Sequence, residues 1–106
     1  MTNQRVASKS DVLALLVDNS ADLRRFGVRQ ISLFGSFVTD SPRGDSDVDL
    51  LVSFDPGQKS FDNFMSLNFF LEDLLGRRVE LVTRESLSPY LGPRILETSE
   101  NVPLAA

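Results

Sequence analysis

Two aspartates separated by one residue are the side chains best suited to chemistry in this sequence. Asp47 and Asp49 lie at the start of a predicted strand over 47–54. Alternate residues of a strand share one face, so the two carboxylates project together with their Cα atoms about 6.6–7 Å apart. Such oxygen ligands suit Mg²⁺, and in two-ion sites the metals lie about 3.5–4 Å apart, a gap that two such side chains can bridge. The alternative interpretation is a solvated acidic strand end.

A third acid lies inside another apolar run. Glu80 belongs to the predicted strand over 79–83, where its neighbours are apolar. A carboxylate buried without a partner costs several kcal/mol, so Glu80 should lie at a strand end or bind a cation. If the two strands are neighbours, Glu80 can join Asp47 and Asp49 on one face. An exposed acid on an edge strand fits the same pattern.

The pair Gly35-Ser36 follows a predicted strand over 28–34 and begins a loop over 35–44 with room for one helical turn. Glycine lets the backbone approach a phosphate closely, and the Ser36 hydroxyl adds a hydrogen-bond donor. A Gly-Ser pair alone is common in turns. Its spacing to the two aspartates, across a strand, a loop and a strand, is what indicates a phosphate-binding site.

Composition limits the chemistry that is available. The 106 residues include no cysteine and no histidine, and the formal net charge is −4. Disulfides, thiolate nucleophiles, imidazole bases and most zinc sites are excluded, so catalysis must use carboxylates, hydroxyls, Lys or Arg, or a metal held by oxygen. The acidic balance disfavours direct nucleic-acid binding.

Length and hydropathy predict the domain organisation. The longest apolar run, 12–17, is too short to span a membrane, and the N-terminus lacks a secretory apolar region. The chain length fits one compact domain. We therefore expect a cytoplasmic protein with a flexible N-terminus over 1–9 and a single domain over 10–106.

These residues must be positioned by a small set of elements. The pattern predicts a helix capped by Ser8 or Ser10 and ending at 17, a helical turn over 21–26, the three strands, a long helix over 60–75 and a short helix over 89–98. The first two strands should pair antiparallel, and the long helix should cross over between parallel second and third strands. The predicted class is α/β (α+β), with helices packed on a small mixed sheet of three to four strands.

Three segments carry a resemblance to a known family. Phe34-Gly35-Ser36-Phe37, the ten-residue gap after Ser36 and the run 46–52 resemble the minimal nucleotidyltransferases of the DNA polymerase β superfamily. The run 76–83, followed by Leu87, is similar to the strand that carries the third carboxylate in that family. The resemblance covers roughly residues 8–100 and implies a polymerase β-like nucleotidyltransferase fold.

The resemblance implies an activity and a set of roles. A nucleoside monophosphate would pass from an NTP, here ATP, to an acceptor, and pyrophosphate would leave. Gly35 and Ser36 would hold the triphosphate, Asp47 and Asp49 would bind two Mg²⁺ ions, and Glu80 would be the third catalytic carboxylate and metal ligand.

The chain departs from the family pattern at two places. Family members often carry Arg-Gly a few residues after Gly-Ser, where this chain has Thr39 and Asp40. Arg43 in the same loop is the candidate substitute for nucleotide binding. The third acid is usually Asp, and Glu80 is one methylene longer.

The long predicted helix suggests a partner surface. Its apolar side chains spread over roughly 260° of the circumference, more than the stripe of a surface helix requires. Either core surrounds the helix or an apolar strip meets another chain.

Stand-alone members of the resembling family typically act as antitoxins that neutralise a HEPN-domain toxin ribonuclease by attaching AMP to a tyrosine, so the resemblance implies a HEPN toxin as the partner of this chain. The alternative is a catalytically degenerate module that neutralises its partner by steric contact. Transfer to a small molecule is less favoured, because no second domain is evident.

Overall fold

Four strands form one mixed sheet in the computed structural model, which describes residues 5–39, 46–90 and 92–104. The strands are β1 (Val28–Phe34), β2 (Val48–Phe54), β3 (Val79–Thr83) and β4 (Glu100–Asn101), in the spatial order β3-β2-β1-β4. β1 pairs antiparallel with β2 and β4, and β2 pairs parallel with β3. The predicted mixed sheet, its antiparallel first pair and its parallel second pair are confirmed.

Within the described residues, four α-helices accompany the sheet: α1 (Lys9–Asp18), α2 (Ser20–Arg25), α3 (Phe61–Leu75) and α4 (Gly92–Thr98). α3 is the crossover between β2 and β3. It begins where the Ser60 side chain accepts a hydrogen bond from the backbone N–H of Asn63 at 3.1 Å, and it ends at Gly76, whose φ is +68°. Glycine occupies this left-handed position without the Cβ penalty of other residues. No helix among the described residues combines the length and the apolar character needed to cross a membrane.

One face of the sheet is covered by helices. Ile31 and Leu33 of β1 are buried, as are Val48, Leu50 and Val52 of β2, and the predicted inward face is confirmed for these residues. The helices contribute further fully buried side chains: Val12, Leu16, Leu23, Leu67, Leu71 and Leu75. Because successive strand residues point to opposite faces, Asp49 and Glu80 lie on the other, more open face.

Three features differ from the predicted elements. β4 pairs with β1 through Ser32 and Leu33 but spans only two residues, too few to show strand periodicity. The predicted C-terminal helix over 89–98 begins instead at Gly92. At the other end, Val6 is 2% exposed and its N–H donates to the Leu75 carbonyl at 3.0 Å. The described part of the predicted flexible N-terminus therefore packs against the domain from Val6 onward.

Candidate active site

Gly35 and Asp49 lie side by side where β1 ends. Phe34 is the register partner of Asp49, so the residue after Phe34 passes directly over that side chain. Gly35 has a φ of +78°, and a Cβ added there would overlap Oδ2 of Asp49 and lie 2.9 Å from its Cγ. Only glycine combines this backbone conformation with this close approach. The turn and the carboxylate therefore form one continuous surface.

Asp49 also adjoins the third acid. In the parallel ladder, Asp49 is the register partner of Glu80, and both side chains therefore point to the open face. Asp47 precedes β2 on the same side as Asp49 and is half-buried, whereas Glu80 is exposed on the edge strand. The structure thus brings together the three carboxylates selected from the sequence.

The surroundings of Asp49 shift the pKa of its carboxyl group. Burial, followed by the neighbouring charges of Asp47 and Glu80, raises the pKa of Asp49 from 3.8 to about 6. Like charges held close together disfavour a further negative charge. A divalent cation beside these groups would remove that repulsion.

The residues present fit a magnesium site completed by substrate. Among residues 5–39, 46–90 and 92–104, no group of three or more Asp, Glu, His or Cys side chains is arranged to hold a metal ion by itself. Mg²⁺ is usually bound through one or two carboxylates plus substrate phosphates and waters. Asp47 and Asp49 supply the two carboxylates, and because Gly35 has no Cβ the Asp49 carboxylate lies directly against the Gly-Ser turn.

Ser36 lies in a single 3₁₀ turn, Gly35–Phe37, that is fixed from both ends. Phe37 is fully buried, and the Thr39 hydroxyl donates to the Ser36 carbonyl at 3.0 Å. The turn is therefore held against the core while Ser36 itself stays half-buried. Arg43 and Asp40, the other predicted features of this loop, lie outside the described residues.

A family model describing a nucleotidyltransferase domain matches residues 20–101. The chain belongs to this nucleotidyltransferase family. The match spans the Gly-Ser turn and all three acidic residues. The predicted family is confirmed.

Similar proteins of known sequence or structure are also described as nucleotidyl- or adenylyltransferases. The protein adenylyltransferase MntA of Thermococcus cleftensis is 41% identical over 87 residues, which cover 81% of this chain and 87% of MntA. A solved structure assigned as a minimal nucleotidyltransferase is 34% identical, with a TM-score of 0.70 and coverage of 91% of both chains.

A more distant similarity concerns the fold alone. A solved complex of a tri-AMPylated HEPN toxin from Shewanella oneidensis with an MNT antitoxin contains a chain 22% identical to this one. The TM-score is 0.56, and the match covers 92% of this chain and 70% of that one. The same fold therefore recurs in a toxin–antitoxin assembly.

One residue of the nucleotidyltransferase that contacts both flanks of the site was not selected from the sequence. Arg77 donates from Nε to the Val6 carbonyl at 2.6 Å and from a terminal nitrogen to the Ser46 carbonyl at 3.0 Å. Its guanidinium also lies 5.2 Å from the centre of the Phe37 ring. Arg77 therefore joins the residue after Ser36 to the residue before Asp47. An arginine between a helix end and a strand carries no local signal of this role.

The aromatic helix of the nucleotidyltransferase is only partly covered. Phe61 and Phe69 are 77% and 62% exposed, and with Met65 they recur every four residues along one side of α3. We call these three residues the α3 stripe. Phe70, by contrast, packs on Phe26 with ring centres 5.2 Å apart and belongs to the core margin. One side of the helix is therefore packed on the core, while the α3 stripe stays exposed.

Proposed function

We propose that this chain is an antitoxin that transfers AMP from ATP, with Mg²⁺, to a tyrosine of a partner HEPN toxin and so neutralises it. The observation that supports this most directly is the convergence of three carboxylates beside a glycine turn on the open face of the sheet. Membership of the nucleotidyltransferase family and the adenylyltransferase relative support the transferred group.

In this proposal each residue has a distinct task. Gly35 and Ser36 bind the triphosphate, with the glycine allowing a phosphate to approach the backbone. Asp47 and Asp49 hold the metal ions, and Glu80 faces the acceptor from the neighbouring strand as the third carboxylate and metal ligand. When bound, the ions neutralise the phosphates and promote ionisation of the acceptor hydroxyl.

The reaction is an in-line displacement at the α-phosphorus. The acceptor oxygen forms a new bond to this phosphorus, the bond from it to the bridging oxygen of the β-phosphate breaks, and pyrophosphate leaves. Glu80 assists removal of the acceptor proton, which a carboxylate can do when it lies within hydrogen-bond reach. Arg43, in the loop after Ser36, would add positive charge for the triphosphate.

A protein acceptor fits the open site better than a small molecule. Within the part of the chain that the structure describes, one sheet and its helices account for all secondary structure, and no second lobe covers the three carboxylates. A partner would therefore bring the acceptor hydroxyl and close the site. The HEPN toxin of the solved complex, which is tri-AMPylated and bound to an MNT antitoxin, is the model for such a partner.

Labelling of the partner tests the proposal. The chain is incubated with Mg²⁺, α-labelled ATP and the HEPN protein, and label is measured on the partner and on its tyrosine variants. We expect labelling by wild type and none by the double variant Asp47→Asn/Asp49→Asn, with complex formation retained. The matched control, Asp18→Asn/Asp73→Asn, makes the same charge change on exposed helix positions and should label normally. Equal labelling by both double variants would contradict the assigned roles.

The exposed α3 stripe favours a second candidate, neutralisation by steric contact alone. Large aromatic side chains left exposed in this way are typical of interaction surfaces. If Asp47→Asn/Asp49→Asn still neutralises the toxin while Phe69→Asp does not, contact rather than transfer carries the function. Phe69 is the better position for this test than Phe70, which packs on Phe26.

A further inference from the structure

A groove lies on the same open face as the three carboxylates, further along the sheet. Its volume is about 240 Å³, and its lining includes Gln30, Ser32, Leu51, Ser53, Leu96 and Asn101. Leu51 and Ser53 follow Asp49 at alternate positions of β2 and therefore lie on the same face. The groove begins at Leu51, two residues after Asp49, and reaches Ser53, whose Cα lies about 13 Å from that of Asp49. Leu96 of α4 forms the opposite wall.

The direction of the groove matters because the reaction is in line. β2 lies between β1 and β3, so Gly35 is on one side of Asp49 and Glu80 is on the other. If pyrophosphate leaves on the Gly35 side and the acceptor enters on the Glu80 side, those two groups occupy an axis that runs across the strands. The nucleoside, the remaining large substituent of the α-phosphate, must then leave this axis at a steep angle. The groove lies to the side of this axis, beyond Asp49 along the strands, and it spans β2 and β1 as far as Asn101 of β4.

The lining has the chemistry that a nucleoside requires. Leu51 on the sheet and Leu96 on α4 present apolar surface, while polar groups come from the sheet strands and also from Arg84 and Ser99. Gln30 donates from Nε2 to Oδ1 of Asn101 at 2.8 Å, which fixes the orientation of both amides. The Gln30 carbonyl oxygen and the Asn101 amide nitrogen remain as an acceptor and a donor of known position. Pockets for small ligands combine apolar walls with a few fixed polar groups in this manner.

We propose that this groove binds the nucleoside of the donor nucleotide, with the ribose over Leu51 and Ser32 and the base between Leu96 and the Gln30–Asn101 pair. The inference rests on the proposed function, because it needs the α-phosphate at Asp49. It assigns base recognition to residues that the catalytic roles leave unused. It also gives β4 a purpose, since this short strand places Asn101 beside Ser32.

Binding measurements on matched variants test the inference. Ser53→Leu narrows the groove, and Ser66→Leu makes the same change on exposed α3, away from it. In Mg²⁺, we expect Ser53→Leu to raise the Kd for ATP about tenfold or more, because a pocket filled by extra methylene groups excludes its ligand. The Kd for inorganic tripolyphosphate, which lacks a nucleoside, should not change. Ser66→Leu should match wild type for both ligands.

A second variant guards against a folding defect in Ser53→Leu. Leu96 is 38% exposed on a different element, so Leu96→Gln should fold while losing apolar contact with the base. It should weaken ATP binding several-fold and leave tripolyphosphate binding unchanged.

The remaining outcomes separate this inference from the proposed function. Groove variants that bind ATP like wild type overturn the inference alone. So do variants that bind ATP normally but raise the KM for the acceptor, because the groove would then hold the acceptor. A wild-type chain that binds neither ATP nor tripolyphosphate overturns the proposed function and the inference with it.

Discussion

The Gly35 backbone rests against the Asp49 carboxylate so closely that a single added Cβ would lie 2.9 Å from Cγ of that side chain. The turn predicted to hold phosphate and the strand predicted to hold metal are therefore in direct contact. This contact explains why glycine, and no residue with a side chain, stands at the end of β1. A substitution at Gly35 that adds a Cβ would therefore displace the Asp49 carboxylate.

Gly35→Ala should abolish nucleotide transfer, and Gly57→Ala is its matched control. Both glycines have a positive φ, +78° and +81°, so each substitution should cost about 1–2 kcal/mol of unfolding free energy from backbone strain. Only the Cβ at Gly35 would displace Asp49, because a Cβ at Gly57 meets nothing within 4 Å. Labelling assays beside denaturant unfolding check this. Equal transfer by the two variants would show that the contact is dispensable.

The raised pKa of Asp49 predicts a pH-dependent stability in the absence of divalent cations. Because this carboxyl holds its proton up to about pH 6 when folded, against 3.8 ordinarily, the folded state is favoured at low pH and loses that advantage as pH rises through 6. Asp49→Asn removes the unfavourable charge. We therefore expect the variant to have a higher Tm than wild type at pH 8 in EDTA, and no such gain near pH 4.

The same proton should oppose magnesium. Metal binding requires the ionised carboxylate, so the affinity for Mg²⁺ and nucleotide should fall up to about tenfold per pH unit below 6. Titration calorimetry between pH 5 and pH 8 measures this directly. For the stability prediction above, a Tm gain for Asp49→Asn that is as large at pH 4 as at pH 8 would show that the charge of Asp49 does not cause the pH-dependent loss of stability.

The convergence of the site was predictable because short-range patterns determine most of it. β1, β2 and β3 each show apolar residues bounded by turn residues, and the lengths of their connections indicate how they pair. Once β2 and β3 are parallel neighbours, Glu80 needs only the correct register to meet Asp49. The alternation of side chains then places both acids on one face.

The unpredicted features depend on contacts between distant parts of the chain. Arg77 reaches Val6 and Ser46, which are 71 and 31 residues away, and no local pattern encodes either hydrogen bond. β4 exists because Asn101 finds Ser32 on a sheet already formed. Val6 is buried for the same reason, although its polar sequence neighbours indicate a free end.

Arg77 should prove to be a positioning residue for the nucleotide site. Arg77→Met removes two charge-assisted hydrogen bonds, each typically worth about 1.5–3 kcal/mol, and its stacking on Phe37. Because these contacts fix the residues after Ser36 and before Asp47, the KM for ATP should rise more than kcat falls. Arg78→Met, at the neighbouring exposed position, is the control and should change neither.

Arg77→Lys, which keeps the positive charge but not the guanidinium group, should restore little of the ATP affinity that Arg77→Met loses. Arg77→Lys keeps a cation but loses the planar fork that serves two carbonyls at once. Its KM for ATP should stay near that of Arg77→Met. A variant that loses only unfolding free energy, with KM for ATP unchanged, would make Arg77 a structural residue with no part in the site.

Substitution of Glu80 tests whether this acid assists transfer or is only an exposed acid. Glu80→Gln keeps the shape and removes the negative charge, so kcat should fall about 10²–10⁴-fold, the usual contribution of a general base. Because Glu80 lies on the edge strand and is exposed, unfolding free energy should hardly change. Glu80→Asp retains the carboxylate that the family pattern prefers at this position and should keep substantial activity.

Single-turnover labelling of the partner gives the chemical rate, and tripolyphosphate binding reports whether the triphosphate site is intact. Normal transfer by Glu80→Gln would leave Asp47 and Asp49 as the working pair and return Glu80 to the role of an exposed acid on an edge strand.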